Sequence, residues 1–238
     1  MKQAGMRRLL PICALLCFSA PSLAAPPGKI QASYDVSTRG IRVATIAATF
    51  IRQGEHYTIE TVSEAIGLLA LIKPETIRAN SEGSVTAQGL RPARYSSMRK
   101  LDVERNTRAD FDWEKHLITL SDRAGQRTLP LPAGTQDLLS ATHQLMFLPL
   151  QEMPVLKFKM TNGSKVDDYT YVITPDQSVN VPLGTFKAVY VATPPEKNAS
   201  RTEIWLAAEH DNFLYKMVIT DPDGNQFSQV LTRIDFTP

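Results

Sequence analysis

Short extended segments and turn-forming residues alternate along this 238-residue chain at intervals of about ten residues, a spacing typical of antiparallel sandwiches and barrels. Residues 37–40 and 52–55 form the first two turns, and they predict a meander of three strands over residues 31–62. Further turns are predicted at Glu82–Gly83, Gln88–Gly89, Ala124–Gly125, Asn162–Gly163, Pro175–Asp176 and Asp221–Asn225. No long polar linker separates these segments, so the sequence predicts a single β-rich domain over residues 26–238.

Several of the predicted strands are apolar on both faces. In the segment from residue 41 to residue 51, one face carries Ile41 and Val43 while the other carries Ile46. A sheet with water on one side would not need this pattern. The sequence therefore predicts a mainly β fold, an antiparallel curved sheet or barrel-like single domain with a filled or ligand-holding interior.

Two segments interrupt the β pattern. Residues 136–148 carry apolar side chains at helical spacing, begin at a candidate N-cap, Thr135 or Asp137, and stop before Pro149, so they predict the one principal helix. Residues 65–72, with the sequence AIGLLALI, are too apolar for a solvated loop. They form either a short helix or lid, or a buried strand, because periodicity cannot assign so short an apolar run. In both cases we expect their side chains to be covered.

The first 25 residues have the layout of a secretory signal peptide. A basic head precedes an apolar run too short to span a membrane, and small residues offer a cleavage site between Ala24 and Pro26. We therefore expect a signal peptide at residues 1–25, removed on export, and a periplasmic mature protein without a transmembrane segment. Both cysteines, Cys13 and Cys17, lie in this peptide, so the mature chain folds without disulfides.

The positive charge of the chain belongs to the predicted signal peptide. Removal of residues 1–25 takes away three of 26 Lys and Arg and none of 24 Asp and Glu, which leaves a formal charge of −1. Nucleic acid is therefore not expected as a partner. One basic run remains, and it forms either the solvated face of two strands or a contact for anionic groups such as lipid headgroups. The candidate residues for that contact are Arg91, Arg94, Arg99 and Lys100.

Short motifs follow one another in a recognisable order along the chain. They are GLRP at 89–92, FDW at 111–113, QDLLS at 136–140, VPLGTF at 181–186, IWLA at 204–207 and a terminal hairpin. In this order, over residues 32–234, they resemble the bacterial exported family known as domain of unknown function 3108 (DUF3108). The resemblance implies a periplasmic, β-rich protein of Gram-negative bacteria with no established enzymatic activity.

The sequence contains no recognisable catalytic or metal-binding motif. Its four histidines are separated by 27 or more residues, and none has a neighbouring ligand at the spacing of a metal site. A Gly-x-Ser-x-Gly nucleophile elbow is also absent. We therefore expect no metal, no cofactor and a non-enzymatic function, while a hydrolase assembled from distant residues stays as an alternative.

Three functions remain open. The curved sheet binds a hydrophobic or lipid ligand, the protein is an interaction or scaffold module in cell-envelope assembly, or it is an unrecognised hydrolase. Candidate ligand-binding residues are the side chains of the apolar segment and two tryptophans, which core packing would also explain. These candidates are Ile66, Leu68, Leu69, Leu71, Ile72, Trp113 and Trp205.

Overall fold

One sheet of 15 strands dominates the computed structural model, which describes residues 28–237, and its neighbouring strands are antiparallel except at one edge, where the last strand of the sheet pairs in parallel. The strands are β1 (Lys29–Thr38), β2 (Ile41–Gln53), β3 (His56–Ala65), β4 (Thr76–Thr86), β5 (Gly89–Arg99), β6 (Thr107–Asp112), β7 (Leu117–Asp122), β8 (Gly125–Pro130), β9 (Gln136–Asp137), β10 (Val155–Thr161), β11 (Val166–Val181), β12 (Gly184–Ala192), β13 (Arg201–Ala207), β14 (Phe213–Thr220) and β15 (Gln226–Thr237). Spatial order follows chain order from β8 back to β1, then passes to β15 and runs back to β9. The first and last long strands therefore pair at the middle of the sheet.

The predicted meander is confirmed as β1, β2 and β3. Gly40 and Gly54 stand at the two connecting turns with φ angles of 76° and 62°, which glycine adopts without the strain that a β-carbon would cause. The register places Ile30 opposite Phe50 and Phe50 opposite Ile59, all three buried. These side chains form one row on the concave face of the curved sheet. The 15-stranded curved sheet as a whole confirms the prediction of a mainly β, antiparallel, barrel-like fold.

Two predicted turns are wrong, because they lie inside long strands. Glu82–Gly83 falls within β4 and Pro175–Asp176 within β11, and each marks a shift of strand register. At Gly83 the neighbouring strand comes so close that a β-carbon would lie 2.8 Å from Cα of Pro92. Glycine at such a position allows a bulge and close backbone approach, which sequence alone does not distinguish from a turn.

Within the described residues, two α-helices lie outside the strand pattern, α1 (Gly67–Ile72) and α2 (Leu138–Gln144). The principal helix α2 occupies the predicted segment but is shorter than predicted, because the chain tightens into a 3₁₀ turn at Leu145–Phe147. Further 3₁₀ turns are Val103–Arg105, Leu150–Glu152 and Ala208–His210. The predicted signal peptide at residues 1–25 lies outside the described residues.

The sheet curls into a barrel-like shape without closing through backbone pairing. A seam is formed where the β10–β11 turn meets β6 and β8. Thr107 donates from Oγ1 to the carbonyl oxygen of Asn162 at 2.7 Å, and Arg127 donates to the carbonyl oxygen of Ser164. Gly163 packs directly against Thr107. The interior is filled mainly by apolar side chains, and α2 packs against β4, β5, β10 and β14.

Candidate ligand-binding cavity

An apolar cavity of about 420 Å³ lies between α2 and the concave face of the sheet. Its lining residues are Tyr34, Ile46, Ala48, Thr61, Ser63, Leu138, Leu139, Ala141, Thr142, His143, Leu145, Phe158, Met160, Tyr169, Tyr171, Val191, Thr202, Ile204, Phe213, Leu214, Met217, Ile219 and Gln229. Among these described residues there is no lysine, arginine, aspartate or glutamate. The volume is in the ordinary range for small-molecule sites, which are mostly apolar with a few placed polar groups.

Strand register assembles one wall from β1, β2 and β3. Tyr34 stands opposite Ile46, and Ile46 stands opposite Ser63, so these three side chains form a cross-strand row along the cavity. Ala48, two residues along β2 from Ile46, lies on the same face because side chains alternate along a strand. Its small side chain leaves space that a larger residue would fill.

An aromatic cluster forms the facing wall. The rings of Phe158 on β10 and Tyr171 on β11 stack with their centroids 5.9 Å apart, and Tyr169 stacks on Tyr171 at 6.4 Å. Strand alternation carries both tyrosines to one face of β11. Flat aromatic surfaces of this kind suit contact with apolar chains or rings.

One end of the cavity is open to solvent. Leu138 and Ile219 line it and are nevertheless 40% and 38% exposed, which places them at a mouth. Ser63 also lines the cavity near the end of β3, and α1 begins at Gly67, just beyond that end. Helix α1 therefore flanks the rim of the sheet beside the cavity.

A buried hydrogen-bond network fixes α2 against the opposite part of the sheet. Asp137 accepts from the backbone N–H groups of Leu139 and Ser140 at 2.9 Å, and its second oxygen accepts from Ser81 Oγ on β4 at 2.6 Å. The Ser140 hydroxyl accepts from the Asp137 N–H, which completes a capping box. Burial raises the pKa of Asp137 to about 6. Of the two N-cap candidates in the sequence, Thr135 and Asp137, the structure therefore confirms Asp137.

His143 contributes an imidazole ring to the lining of the cavity. It is 8% exposed, its ring stacks on Phe50 at 5.5 Å, and Phe213 meets it edge-on at 6.1 Å. Nδ1 lies 2.9 Å from the carbonyl oxygen of Leu139, one helical turn earlier. Burial lowers the pKa of His143 to about 4, so the ring is neutral at ordinary pH.

The apolar segment singled out in the sequence lies beside the cavity and not within its lining. Its residues from Gly67 to Ile72 form α1, whose leucine and isoleucine side chains face solvent; Leu71, for example, is 83% exposed, whereas Ile66, just before the helix, is half-buried. The expectation that they are covered by the described residues is wrong, because α1 stands at the rim, beyond the last paired residues of β2 and β3. The five candidates placed there are Ile66, Leu68, Leu69, Leu71 and Ile72.

Both candidate tryptophans also lie away from the cavity lining. Trp113 donates from Nε1 to the carbonyl oxygen of Pro92 at 2.6 Å and stacks on Phe111 in a second core cluster. Trp205 packs against Tyr190 at 5.0 Å, with the Lys216 ammonium over its ring. Each is half-buried and already has partners, in agreement with the packing interpretation.

The candidate anionic contact is spread along β5 and the loop after it. Arg91 covers the Trp113 ring at 5.0 Å, and Arg94 forms ion pairs with Glu82 and Asp110. The other two candidates, Arg99 and Lys100, lie at the rim that also carries α1. Part of the basic run is therefore neutralised by neighbouring carboxylates.

Sequence reasoning missed the residues that build the cavity. Alternation in residues 155–161 and 166–173 could have placed Phe158, Tyr169 and Tyr171 on inward faces, since each strand has a polar and an apolar side. Nothing in the sequence separates His143 from a histidine on a solvated helix face. Its position depends on contacts with β2 and β14, which are distant in the chain.

Two further observations concern metal-binding clusters and membrane-spanning helices in the described part of the chain. Within residues 28–237, no three His, Cys, Asp or Glu side chains converge in a way that could hold a metal ion. Neither helix in this range has the length and apolar character of a membrane-spanning segment.

The motif order and the fold agree with a known family. The model of the family described as protein of unknown function DUF3108 matches residues 33–232. The chain belongs to the DUF3108 family. This confirms the resemblance inferred from the motifs. No curated protein matches this DUF3108 sequence.

One solved structure shows the same kind of fold in another protein of unknown function. The beta-barrel-like DUF1849 protein from Brucella abortus is 14% identical, with a TM-score of 0.59, over 90% of this chain and 100% of that chain. A protein described as exported, with a YmcC-like fold, from Bacteroides fragilis is 10% identical, with a TM-score of 0.32, over 88% of this chain and 96% of that chain. The first likeness supports the barrel-like architecture of this DUF3108 protein.

Proposed function

We propose that this protein is a non-enzymatic envelope protein that holds an apolar small molecule or lipid chain in the cavity beneath α2. The observation that carries the proposal is the lining itself, which is largely apolar and contains no charged side chain among the described residues. Transfer of apolar surface from water contributes about 25 cal/mol per Å², or about 0.8 kcal/mol per methylene group. A hydrocarbon chain would therefore gain affinity along its whole buried length.

The polar groups near the cavity support a binding role over catalysis. Asp137 is engaged through both carboxylate oxygens with the helix start and Ser81. His143 has a backbone carbonyl, not a carboxylate, beside Nδ1. Nucleophilic catalysis of the triad type requires three connected side chains: a nucleophile, a histidine that activates it and an acid that orients the histidine. The described lining supplies no such set.

The proposal places the mature protein in the periplasm. Residues 1–25 carry the signal-peptide pattern, and Ala24 and Ala25 provide the small-residue exit. N-terminal sequencing of the exported form should start at residue 25 or 26. A form that begins at Met1 would contradict export by this route.

Titration of the protein with a fluorescent apolar probe, N-phenyl-1-naphthylamine, tests binding directly. We expect saturable binding with a blue-shifted, enhanced emission. Ile46→Trp fills the cavity from β2 and should weaken probe binding at least about tenfold, a change equivalent to about 1.4 kcal/mol. Ala47→Trp is the matched control, because Ala47 is the next residue on the same strand and is exposed on the opposite face. Equal loss in both variants, or no saturable binding, would contradict the proposal.

One specific observation favours a second candidate, an interaction module for envelope assembly. Exposed apolar side chains cluster on α1 and the start of β2, where Leu68, Leu71, Ile72 and Ile41 are open to solvent. Crosslinking from position 71 in intact cells, compared with position 47, tests it. A defined protein adduct from position 71 alone would support this candidate, and adducts to lipid alone would contradict it.

A further inference from the structure

We propose that the molecule held in the cavity carries an uncharged hydroxyl group, which donates a hydrogen bond to Nε2 of His143. This inference rests on the proposed binding function and adds the chemical class of the ligand. His143 is the only histidine among the described residues that line the cavity. Its Nδ1 is hydrogen-bonded to a backbone carbonyl group, and its Nε2 has no hydrogen-bond partner within residues 28–237.

The proton position in the His143 ring follows from its helix contact. The carbonyl oxygen of Leu139 can only accept, so Nδ1 at 2.9 Å must donate. A neutral imidazole has one proton on nitrogen, and Nε2 is therefore an acceptor with a free lone pair. Among the described residues, Nε2 has no hydrogen-bond partner, and it is not fully buried. This agrees with an Nε2 that faces the open space of the cavity, which His143 lines.

Packing holds this acceptor in a fixed place. The imidazole lies nearly parallel to Phe50, with an interplanar angle of 13°, and Phe213 closes its edge at 73°. Ring rotation would break these contacts and the bond to Leu139. A preorganised acceptor in an apolar site favours a ligand that brings a donor, because an unpaired acceptor is poorly solvated there.

The charge of the lining selects against ionised ligands. No described lining residue is cationic, so a carboxylate or phosphate would enter the cavity without a counter-charge. Burial lowers the pKa of His143 to about 4, which keeps the ring from supplying that charge at neutral pH. A carboxylate also offers no proton to Nε2. A neutral alcohol satisfies both conditions.

Competition against bound N-phenyl-1-naphthylamine at pH 7.5 tests the inference with three matched probes. The probes are decan-1-ol, its methyl ether, which lacks the donor, and decanoate, which is charged. In the unmodified protein we expect the alcohol to compete at least tenfold better than either of the others. His143→Phe keeps the aromatic packing, and there the alcohol and the ether should compete within about twofold of each other.

His56→Phe is the control variant, since His56 is exposed on β3, outside the cavity, and should preserve the preference for the alcohol. If His143→Phe does not fold, the comparison of alcohol and ether in the unmodified protein still decides the matter. Equal competition by these two, or stronger competition by decanoate, overturns the inference while leaving the proposed function intact. Absence of saturable binding of N-phenyl-1-naphthylamine itself overturns both.

Discussion

At the scale of single residues, α2 carries two buried groups whose protonation equilibria are shifted in opposite directions. Burial raises the pKa of Asp137 to about 6, and burial lowers the pKa of His143 to about 4. In each case the neutral form is favoured in the folded protein, because a charge inside an apolar interior is poorly solvated. The two residues therefore influence stability over the same acidic range.

Their contributions to the free energy of unfolding should oppose each other between pH 7 and pH 4. The folded state takes up the Asp137 proton near pH 6, before the unfolded state does, so this contribution rises on acidification and is lost as pH rises. The unfolded state takes up the His143 proton first, below about pH 6.5, so this contribution falls on acidification. Each change is roughly 3 kcal/mol for a shift of about two pKa units.

Two variants separate these contributions in urea unfolding at several pH values. Relative to the unmodified protein, His143→Phe should gain stability from pH 7 to pH 4, since the histidine no longer favours the unfolded state. Asp137→Asn should lose relative stability over the same range, while its side-chain oxygen still caps α2. Variant curves that run parallel to that of the unmodified protein would show that these groups titrate as they do in solvent.

The sequence predicted Asp137 and missed His143 for a physical reason. A helix cap is a local contact, and Asp137 reaches Leu139 and Ser140 within its own turn. The environment of His143 is set by Phe50 and Phe213, which come from β2 and β14. Local spacing therefore predicts the first and carries no information on the second.

At the scale of elements, α1 is an exposed helix on the rim of the sheet. Its helical state was one of two alternatives in the sequence, because a run of this length satisfies both helix and strand patterns. Its exposure could not be predicted, since it depends on where β3 ends against β2 and β4. By contrast, α2 was predictable from its cap and from Pro149.

The position of α1 predicts tolerance to a charged residue. Leu71→Asp should change the free energy of unfolding by no more than about 0.5 kcal/mol, because the side chain already lies in water. Leu145→Asp, after α2, should cost several-fold more or prevent folding, since Leu145 is buried in the main core. Urea or thermal unfolding of both variants makes the comparison. A comparable loss in Leu71→Asp would show that α1 is part of the core.

At the scale of the whole molecule, the barrel-like shape is held closed by side chains and a turn at the seam. Thr107 and Arg127 bond to backbone carbonyl groups of the β10–β11 turn, and Gly163 fits against Thr107 with a φ angle of 86°. Strand spacing in the sequence predicted a curved sheet, because alternation and turns are local signals. The seam and the position of the cavity beneath α2 were not predictable, since they depend on contacts between strands far apart in the chain.

Gly163→Ala should loosen this closure. A β-carbon there would lie 2.8 Å from Cβ of Thr107, in a backbone conformation that already costs roughly 1–2 kcal/mol for a non-glycine residue. Gly134→Ala is the matched control, with a φ angle of 72° and open space around the added carbon. We expect a larger loss of stability in Gly163→Ala, with faster amide hydrogen exchange in β6 and β10. Equal behaviour of the two variants would mean that the seam does not close the molecule.

Native mass spectrometry of protein purified from its own cell envelope shows whether the cavity beneath α2 carries an apolar ligand. We expect a discrete added mass that organic extraction removes, that Ala47→Trp retains and that Ile46→Trp loses. Protein that carries no added mass and also fails to take up an apolar chain after incubation with envelope lipids would contradict the proposed ligand binding.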